Sequence, residues 1–294
     1  MHEVVVISGK GGTGKTSLTA AFAHLSRETL LCDLDVDAPD LHLILNPSPS
    51  PAEPFFSGFE PQIDRQTCTA CGTCAQMCRF DAIAEREGKP WVDLIRCEGC
   101  GVCVHFCPER AIAFSPKQCG QWRISQTRFG PMVHAQLYPG EENSGKLVAH
   151  LRKEARQLAE SSGLRLILSD GPPGIGCPVI SALSGVDLAV MVTEPTPSGL
   201  HDLKRVVELS DHFKVPAAVI INKSDLNASM ADDISSFCAS RGIPVPTRLP
   251  HDTGFVHAMV QGRTITEHED GVTSRHLRSA WADILKTLHA VKAA

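Results

Sequence analysis

Apolar segments of two kinds alternate along much of the chain. Residues 2–7 form a continuous apolar run typical of a buried strand, and residues 17–26 follow with the periodicity of an amphipathic helix. A second helical stretch spans residues 200–213. Further apolar runs predict strands at residues 29–32, 164–169, 188–193 and 217–221. This alternation predicts a doubly wound α/β fold with a mostly parallel sheet.

A different kind of segment interrupts the alternation. Residues 46–54 contain four prolines, which exclude the interior of a helix or a sheet. Eight of the twelve cysteines follow, in two similar halves. We therefore expect an inserted small α+β domain at residues 55–116, with the main domain formed by residues 1–54 and 117–294. Residues 116–145 show little periodicity, so the return to the main sheet is not defined by the sequence.

The composition is that of an ordinary globular chain. Of 294 residues, 43% are hydrophobic and 21% charged, and the net charge of -5 without a long basic run argues against nucleic acid as a partner. No uncharged apolar run approaches the ~18 residues of a bilayer-spanning helix, and the N-terminus has no signal-peptide pattern, so the expected location is cytoplasmic. In that setting the cysteines favour metal ligation over disulfides.

A phosphate-binding loop lies between the first predicted strand and helix. It satisfies the pattern G-x-x-x-x-G-K-[ST], in which backbone N–H groups face phosphate oxygens, Lys15 reaches the outer phosphates and the Thr16 hydroxyl binds Mg²⁺. The positive end of the helix faces the same anion. A merely glycine-rich turn is the alternative. The expected nucleotide-binding residues of the loop are Gly9, Lys10, Gly11, Gly12, Thr13, Gly14, Lys15, Thr16 and Ser17.

The loop sequence KGGTGKT, with Lys10 as a second lysine, resembles the deviant Walker A motif of the MinD/ParA family of P-loop ATPases. The resemblance covers the loop, the acidic segment after it and most of the chain outside the insertion. It implies ATP as the nucleotide and a nucleotide-dependent homodimer, in which Lys10 crosses to the partner's nucleotide. For Lys10, a solvated loop cation is the alternative.

Acidic residues follow the second predicted strand in LLCDLDVDAPD. Asp33 and Asp35 are similar to the paired aspartates of that family. The resemblance implies that Asp35 orients the attacking water, with Lys10 and Lys15 completing the catalytic set, and that Asp33 supports it or the magnesium shell. A solvated acidic loop is the alternative, and Asp37 and Asp40 compete for the same roles.

Two later strands also end in polar residues. Asp170 opens the segment DGPPGIG and is similar to a Walker B carboxylate that holds Mg²⁺ through water, followed by a switch that senses the γ-phosphate. Relatives use a residue at the position of Asn222 to recognise adenine, but INKSD also resembles the guanine-reading motif of GTPases. ATP is therefore inferred from the lysine-bearing loop. The expected magnesium ligands are Thr16, Asp33, Asp35 and Asp170.

The most specific pattern is a duplicated cysteine run, which reproduces twice the bacterial ferredoxin spacing C-x2-C-x2-C-x3-C. In two-cluster ferredoxins the fourth cysteine of each run ligates the other cluster, so the resemblance implies two [4Fe-4S] clusters per chain. The first takes Cys68, Cys71, Cys74 and Cys107, and the second takes Cys78, Cys97, Cys100 and Cys103. Zinc is the alternative, although the third closely spaced cysteine of each run is superfluous for a tetrahedral site.

Cys177 lies seven residues after Asp170. The nitrogenase iron protein, a relative of this ATPase class, carries a ligand of its bridging cluster at that spacing. One hypothesis is therefore a third, subunit-bridging cluster through Cys177, with Cys119 as a second candidate ligand. A buried free thiol is the other.

The C-terminal segment 272–291 has one apolar face of helical spacing. MinD-type relatives can use a basic C-terminal helix to bind membranes. Here the basic residues are spread out, so packing onto the sheet is favoured over membrane docking. They are Arg275, Arg278, Lys286 and Lys292.

The whole pattern resembles P-loop ATPases of the MinD superfamily that contain an inserted ferredoxin domain, some of which occur with the orange protein complex of anaerobic bacteria. It implies an ATP-hydrolysing dimer that binds ATP or ADP, Mg²⁺ and two clusters, and in which nucleotide state gates electron transfer. Two alternatives remain open. One is an Fe-S carrier or assembly ATPase of the Mrp type, and the other is a MinD-like positioning ATPase with a redox-sensing ferredoxin. The redox partner is not identified by the sequence.

Overall fold

A computed structural model describes residues 1–141, 144–268 and 270–291. Eleven strands and eleven helices lie within those residues. In chain order they are β1 (His2–Ser8), α1 (Lys15–Leu25), β2 (Thr29–Asp33), α2 (Leu41–Leu45), β3 (Glu53–Ile63), α3 (Thr73–Gln76), β4 (Ile83–Arg86), β5 (Lys89–Val92), α4 (Val102–His105), β6 (Ile112–Thr127), β7 (Gly130–Leu137), α5 (Ser144–Ser161), β8 (Leu166–Pro173), α6 (Cys177–Leu183), β9 (Leu188–Thr193), α7 (Pro197–His212), β10 (Ala217–Ile221), α8 (Ala228–Ser240), β11 (Thr247–Arg248), α9 (Gly254–Val260), α10 (Ile265–His268) and α11 (Val272–Val291).

The chain divides into two compact units. The larger consists of Met1–Glu53, Trp122–Gln136 and Ser144–Ala294, and the smaller of Pro54–Gln121 and Leu137–Asn143. The smaller unit therefore takes in chain beyond residue 116, where the sequence-based division ended the insertion. No composition shift marks residues 117–121 and 137, because they lie in strands β6 and β7, which continue past the cysteine-rich segment.

The larger unit contains a mostly parallel sheet, which confirms the predicted α/β fold. Its strands lie in the order β11-β10-β9-β1-β8-β2-β7, and the end of β6 follows. Each neighbouring pair from β11 to β7 is parallel. β1 is buried on both faces from Glu3 to Ser8, as its continuous apolar sequence requires. The carboxyl ends of these strands meet at one edge, where ligands bind in such sheets.

Several predicted elements differ from the observed ones. α1 begins at Lys15, two residues earlier than its apolar periodicity indicated, because Gly14 already caps it. β8 continues through Asp170 to Pro173, so this aspartate lies inside the strand and not after it. β6 and β7 occupy the region that showed no periodicity, since Pro116 and Gly120 interrupt the alternation of β6. Two residues join these strands, which makes them antiparallel.

Helix α11 packs into the core of the larger unit, as its apolar stripe predicted. Leu277, Ile284 and Leu288 are buried, and the Trp281 ring stacks on Phe22 of α1 with centroids 4.8 Å apart. Lys292 lies outside the described residues. Across residues 1–141, 144–268 and 270–291, no helix has both the length and the apolar character that crossing a membrane would require.

The smaller unit repeats one motif around a small core. In each half the cysteine run contains a four-residue helix, α3 or α4, between its second and fourth cysteines. Between the halves, β4 and β5 form an antiparallel hairpin. Its core contains side chains from both halves, namely Cys74, Ile83, Val92, Cys103 and Ile112. Because the halves share this core, we expect them to fold together.

A buried ion cluster joins β1 of the larger unit to two of its helices. The Glu3 carboxylate accepts from Arg152 Nε at 2.7 Å and from Arg156 at 2.6 Å. Arg152 also donates to the carbonyl oxygens of Ser181 and Ser184 in α6 and at its end. The side chains of Glu3 and Arg152 are each only 6% exposed, so each depends on the other for charge compensation.

Replacing Arg152 with alanine leaves the buried Glu3 carboxylate with the more exposed Arg156 as its only cation. We expect the free energy of unfolding to fall by at least about 3 kcal/mol, measured by urea denaturation followed by circular dichroism, because an undercompensated charge stays buried. The matched control Arg165→Ala removes an exposed ion pair with Glu28 and should cost less than about 1 kcal/mol. Equal losses in the two variants would contradict this account.

Candidate functional site

The phosphate-binding loop takes its shape from glycine and from a neighbouring asparagine. Gly14 has φ +94°, a conformation that side chains disfavour, and a Cβ there would lie 2.6 Å from Asn222 Nδ2. That amide group donates to the Thr13 carbonyl oxygen at 2.8 Å. Asn222 therefore fastens the loop to the end of β10. One of its two N–H donors is used in this way.

A cleft of about 460 Å³ opens at the carboxyl edge of the sheet. The loop from Gly11 to Ser17 forms one wall, the acidic loop from Asp35 to Asp40 another, and Pro172 and Pro173 of β8 a third. The N-terminal end of α1 borders it and contains no acidic residue in its first turn. The structure thus brings together three segments that the sequence analysis selected separately.

Lys15 and Asp35 face each other across this cleft. Their Nζ and Oδ2 atoms are 3.8 Å apart, and Lys15 is buried. Burial raises the pKa of Asp35 to about 6, against the opposing charge of Lys15. At this distance the two groups form an ion pair. The ammonium group favours an anion placed beside the pair, and the carboxylate can accept a hydrogen bond.

Asp33 shapes the acidic loop by holding its backbone. Its two carboxylate oxygens accept from the N–H groups of Asp35 and Leu41, each at 3.2 Å. It is fully buried and lies in register beside Asp170 of the next strand. Burial, and then the charge of Asp170, raise the pKa of Asp33. Asp33, one of the expected magnesium ligands, therefore has both carboxylate oxygens hydrogen-bonded to the acidic loop and the start of α2.

Asp170 has one engaged and one unpartnered oxygen. Oδ1 accepts from the Thr19 hydroxyl at 2.9 Å, whereas the fully buried Oδ2 has no hydrogen-bond partner among the described residues. Burial raises the pKa of Asp170, although Lys15 and the hydroxyl groups of Thr16 and Thr19 oppose the shift. An unpartnered buried carboxylate oxygen is costly, so the residues fit a cation or its bound water at this position.

Lys10 lies away from the acidic loop. Its Nζ is 3.3 Å from Thr196 Oγ1 and 3.4 Å from both Ser198 Oγ and Glu194 Oε2, at the start of α7. Lys10 is 30% exposed at the side chain, so it is held by contacts that water can replace. It is therefore free to exchange these contacts for others.

Glu194 was missed by the sequence analysis. It accepts from Lys223 Nζ at 2.5 Å and lies 3.4 Å from Lys10, so one carboxylate joins both lysines. Burial raises the pKa of Glu194, but the two lysines outweigh burial and leave it below the usual range. Its position directly after β9, at the edge where functional loops lie, was the available signal.

The cysteines of the smaller unit line two separate pockets. One is lined by Cys68, Cys71, Cys74 and Cys107. The other is lined by Cys78, Cys97, Cys100 and Cys103. In each pocket three cysteines come from one run and the fourth comes from the other run. The structure therefore brings the eight residues together in the two groups that the ferredoxin resemblance implied.

Several of these sulfur atoms accept hydrogen bonds from the backbone. The N–H of Ala82 lies 3.4 Å from Cys78 Sγ, and the N–H of Ala111 lies 3.3 Å from Cys107 Sγ. The two contacts occupy equivalent positions in the two halves. Ala70 N–H similarly donates to Cys68 Sγ at 3.4 Å. Such donors stabilise thiolate ligands and tune the potential of a cluster.

No three His, Cys, Asp or Glu side chains of the described residues lie close enough together to hold a single metal ion.

The two further cysteines considered for a bridging cluster have different surroundings. Cys177 is the first residue of α6 and is exposed, so the expectation of a buried free thiol at this position is wrong. Cys119 is buried in the smaller unit, where its Sγ donates to the Ser57 carbonyl oxygen at 3.0 Å. Burial raises the pKa of Cys119, which favours the neutral thiol over a metal-binding thiolate.

The chain is similar to known nucleotide-binding proteins over most of its length. A family model described as the CobQ/CobB/MinD/ParA nucleotide binding domain matches residues 4–265. An uncharacterized protein of Methanocaldococcus jannaschii is 36% identical over 229 residues, which cover 76% of this chain and 79% of that protein.

Solved structures show the same fold. The septum site-determining protein MinD of Pyrococcus horikoshii, complexed with Mg-ADP, has a TM-score of 0.60 at 17% identity and covers 99% of this chain and 98% of its own. The MinD cell division protein of Aquifex aeolicus has a TM-score of 0.56 at 19% identity, with 97% of each chain covered.

The raised pKa of Asp35 makes the stability of the nucleotide-free protein depend on pH. Because the folded-state pKa of about 6 exceeds the ordinary value of 3.8, the folded state binds the proton more tightly, and this stabilisation is lost as pH rises from about 4 to 6. Asp35→Asn removes the titration. Relative to this variant, the wild-type free energy of unfolding should fall by on the order of 1–2 kcal/mol across that window, since Lys15 and water screen the charge. Urea denaturation at pH 4.5 and 7 measures this difference, and a constant value would contradict the prediction.

Proposed function

The chain belongs to the family of CobQ/CobB/MinD/ParA nucleotide-binding domains, and on this premise we propose that it is a dimeric ATPase whose nucleotide state controls electron transfer through two [4Fe-4S] clusters. The observation that carries the proposal is that two cysteine pockets, each lined by four cysteines from both runs, occur in the same chain as a complete phosphate-binding loop. Members of the MinD/ParA family hydrolyse ATP, which supports the first part.

Nucleotide binding rests on the loop and on α1. Backbone N–H groups of Gly11 to Gly14 and the N-terminal end of α1 border the cleft, and both attract phosphate. Lys15 would neutralise the outer phosphates. Ser17 and Asn222 remain in the proposed binding set, with Asn222 acting on the loop as well as on the base. The bound MgADP of the Pyrococcus MinD supports the choice of nucleotide for this chain.

Hydrolysis requires a cation and an oriented water. Thr16 and the free oxygen of Asp170 are proposed to hold Mg²⁺, directly or through its waters, because Mg²⁺ keeps several waters beside one or two carboxylates. Asp35 would accept a hydrogen bond from the attacking water and so orient that water. Asp33 would contribute indirectly, by fixing the loop that carries Asp35.

Dimer formation is proposed to move Lys10. In the single chain it contacts Glu194, Thr196 and Ser198 at 3.3–3.4 Å and is partly exposed. Giving up these contacts costs little because water screens them. A phosphate of the partner's nucleotide, carrying more charge than Glu194, is a stronger ligand for the ammonium group. This part of the proposal follows the family resemblance.

The cysteine pockets are proposed to hold one cluster each. Their lining is four thiols per pocket, and N–H groups point at several of the sulfurs. When bound, such a cluster supplies one-electron transfer. The chain's own contribution is to exclude water with apolar residues, such as Ile63 and Ile112 in the first pocket and Ile83 and Val102 in the second, which keeps the environment of the clusters apolar.

The ligand assignment predicts iron contents for paired substitutions. Anaerobically reconstituted wild type should bind about eight irons, four for each cluster. Cys71→Ser combined with Cys107→Ser should remove about four irons, because both residues line one pocket. Cys71→Ser combined with Cys78→Ser should remove about eight, because one ligand of each cluster is lost.

Iron and sulfide analysis measures these values, and Cys177→Ser is the matched control that should leave them unchanged. The opposite ranking of the two double variants would show that each run binds its own cluster. Tetrahedral zinc in place of iron would remove the electron-transfer proposal.

Control of the clusters by nucleotide predicts a spectroscopic difference. EPR spectra or midpoint potentials of the reduced protein should differ between the MgATP, MgADP and nucleotide-free states, because the acidic loop responds to the γ-phosphate. Lys15→Ala should abolish this difference and lower ATP hydrolysis by at least about a hundredfold, since it removes charge stabilisation of the transferred group. Lys286→Ala, a surface lysine of α11, is the control.

Identical cluster signals in all three nucleotide states would contradict gated electron transfer. If ATP hydrolysis and dimer formation persisted in that case, a MinD-like positioning ATPase would be the better account.

A further inference from the structure

The side chain of Arg128, in the turn between β6 and β7, forms hydrogen bonds with the C-terminal end of helix α2. Arg128 Nη1 donates to the Leu45 carbonyl oxygen at 2.8 Å, and Nη2 donates to that of Ile44 at 3.1 Å. Carbonyl groups at a helix C-terminus have no partner within the helix, so the guanidinium group satisfies them. Arg128 also forms a two-point contact with Glu267 of α10, at 2.8 Å for both hydrogen bonds.

The other end of α2 belongs to the nucleotide site. Leu41, its first residue, donates its N–H to Asp33 Oδ2 at 3.2 Å, and Asp40 before it borders the cleft. The helix has only five residues, and three of them, Leu41, Ile44 and Leu45, are buried. Because α2 is short and directly follows the acidic loop, a displacement of that loop would act on α2, whose far end carries the carbonyl groups that Arg128 binds.

The turn that carries Arg128 has little freedom to absorb such a displacement. Thr127 Oγ1 donates to the Gly130 carbonyl oxygen at 2.7 Å and accepts from the Phe129 N–H at 3.1 Å. Gly130 approaches β2 so closely that a Cβ would lie 2.3 Å from the Thr29 carbonyl oxygen. Only glycine fits at this position, so the turn packs directly against β2, the strand that ends at Asp33.

Strand β6 connects this turn to the cysteine runs along the chain. It is continuous from Ile112 to Thr127, which directly precedes Arg128. Ile112 follows Cys107 closely in sequence and belongs to the small core that also contains Cys74 and Cys103. The part of β6 that belongs to the larger unit, Trp122–Thr127, lies directly before Arg128.

We propose that Arg128 is the positioning residue that transmits the nucleotide state of the acidic loop, through α2, to strand β6. This inference rests on the proposed function, because it explains how ATP hydrolysis would reach the clusters. Arg128 touches neither the nucleotide cleft nor the cysteine pockets among the described contacts. Its role is to make α2 and the β6–β7 turn move together, with Glu267 fixing the orientation of the guanidinium group.

Hydrogen exchange of the full-length, cluster-containing protein tests this inference. Amide exchange of residues 112–127 is compared between MgATP and MgADP for the wild type, Arg128→Ala and Arg128→Lys. The lysine variant keeps the charge but cannot bind two carbonyl groups and a carboxylate together. Arg241→Ala is the matched control, since it breaks an exposed arginine pair with Asp211.

We expect a nucleotide-dependent difference in the wild type and in Arg241→Ala. Both Arg128 variants should lose at least about four-fifths of it, while iron content and ATP hydrolysis stay within twofold of wild type. A difference that persists in the Arg128 variants, or that is absent from the wild type, would overturn the inference. If the difference depends on Arg128 but cluster potentials ignore the nucleotide, the transmission stands and gated electron transfer fails.

Discussion

Two aspartates that lie side by side on neighbouring parallel strands constrain the nucleotide site. Asp33 and Asp170 are both fully buried and in register, and each raises the cost of ionising the other. Their surroundings divide the roles. Both carboxylate oxygens of Asp33 accept hydrogen bonds from the loop backbone. In contrast, one carboxylate oxygen of Asp170 has no hydrogen-bond partner among the described residues. The charge of Lys15, from the phosphate-binding loop, opposes the rise in the pKa of Asp170. The acidic loop and the start of α2 depend on this arrangement, because Asp33 holds the backbone of both.

In the smaller unit, the main constraint is that cysteine side chains are packed among apolar residues. Neither cysteine run alone supplies all four cysteines of a pocket, because the fourth cysteine of each pocket comes from the other run. The hairpin of β4 and β5 and the first part of β6 supply the apolar side chains between them. This exchange of ligands makes the unit cooperative, so loss of one run should disturb both pockets. A repeat in sequence has thus become a single structural unit.

Sequence patterns predicted those features that depend on local chemistry. β9 and β10 match their apolar runs, and the four cysteines that the spacing assigned to each set line one pocket. Features that depend on tertiary contacts were not predictable. β6 alternates poorly because Pro116 and Gly120 interrupt it, and nothing in the sequence around Glu194 indicated that it would join two lysines. The exposure of Cys177 likewise follows from the position of α6 and not from neighbouring residues.

The double role of Glu194 has a consequence for how the site stays electrically balanced. Lys223 donates to the same carboxylate that lies near Lys10, and Lys223 also lies 3.4 Å from the Gly12 carbonyl oxygen. Without Lys10, the Glu194 carboxylate would still accept a hydrogen bond from Lys223, so its negative charge would stay compensated. Loss of the contact with Lys10 therefore does not leave a half-buried anion without a counter-charge.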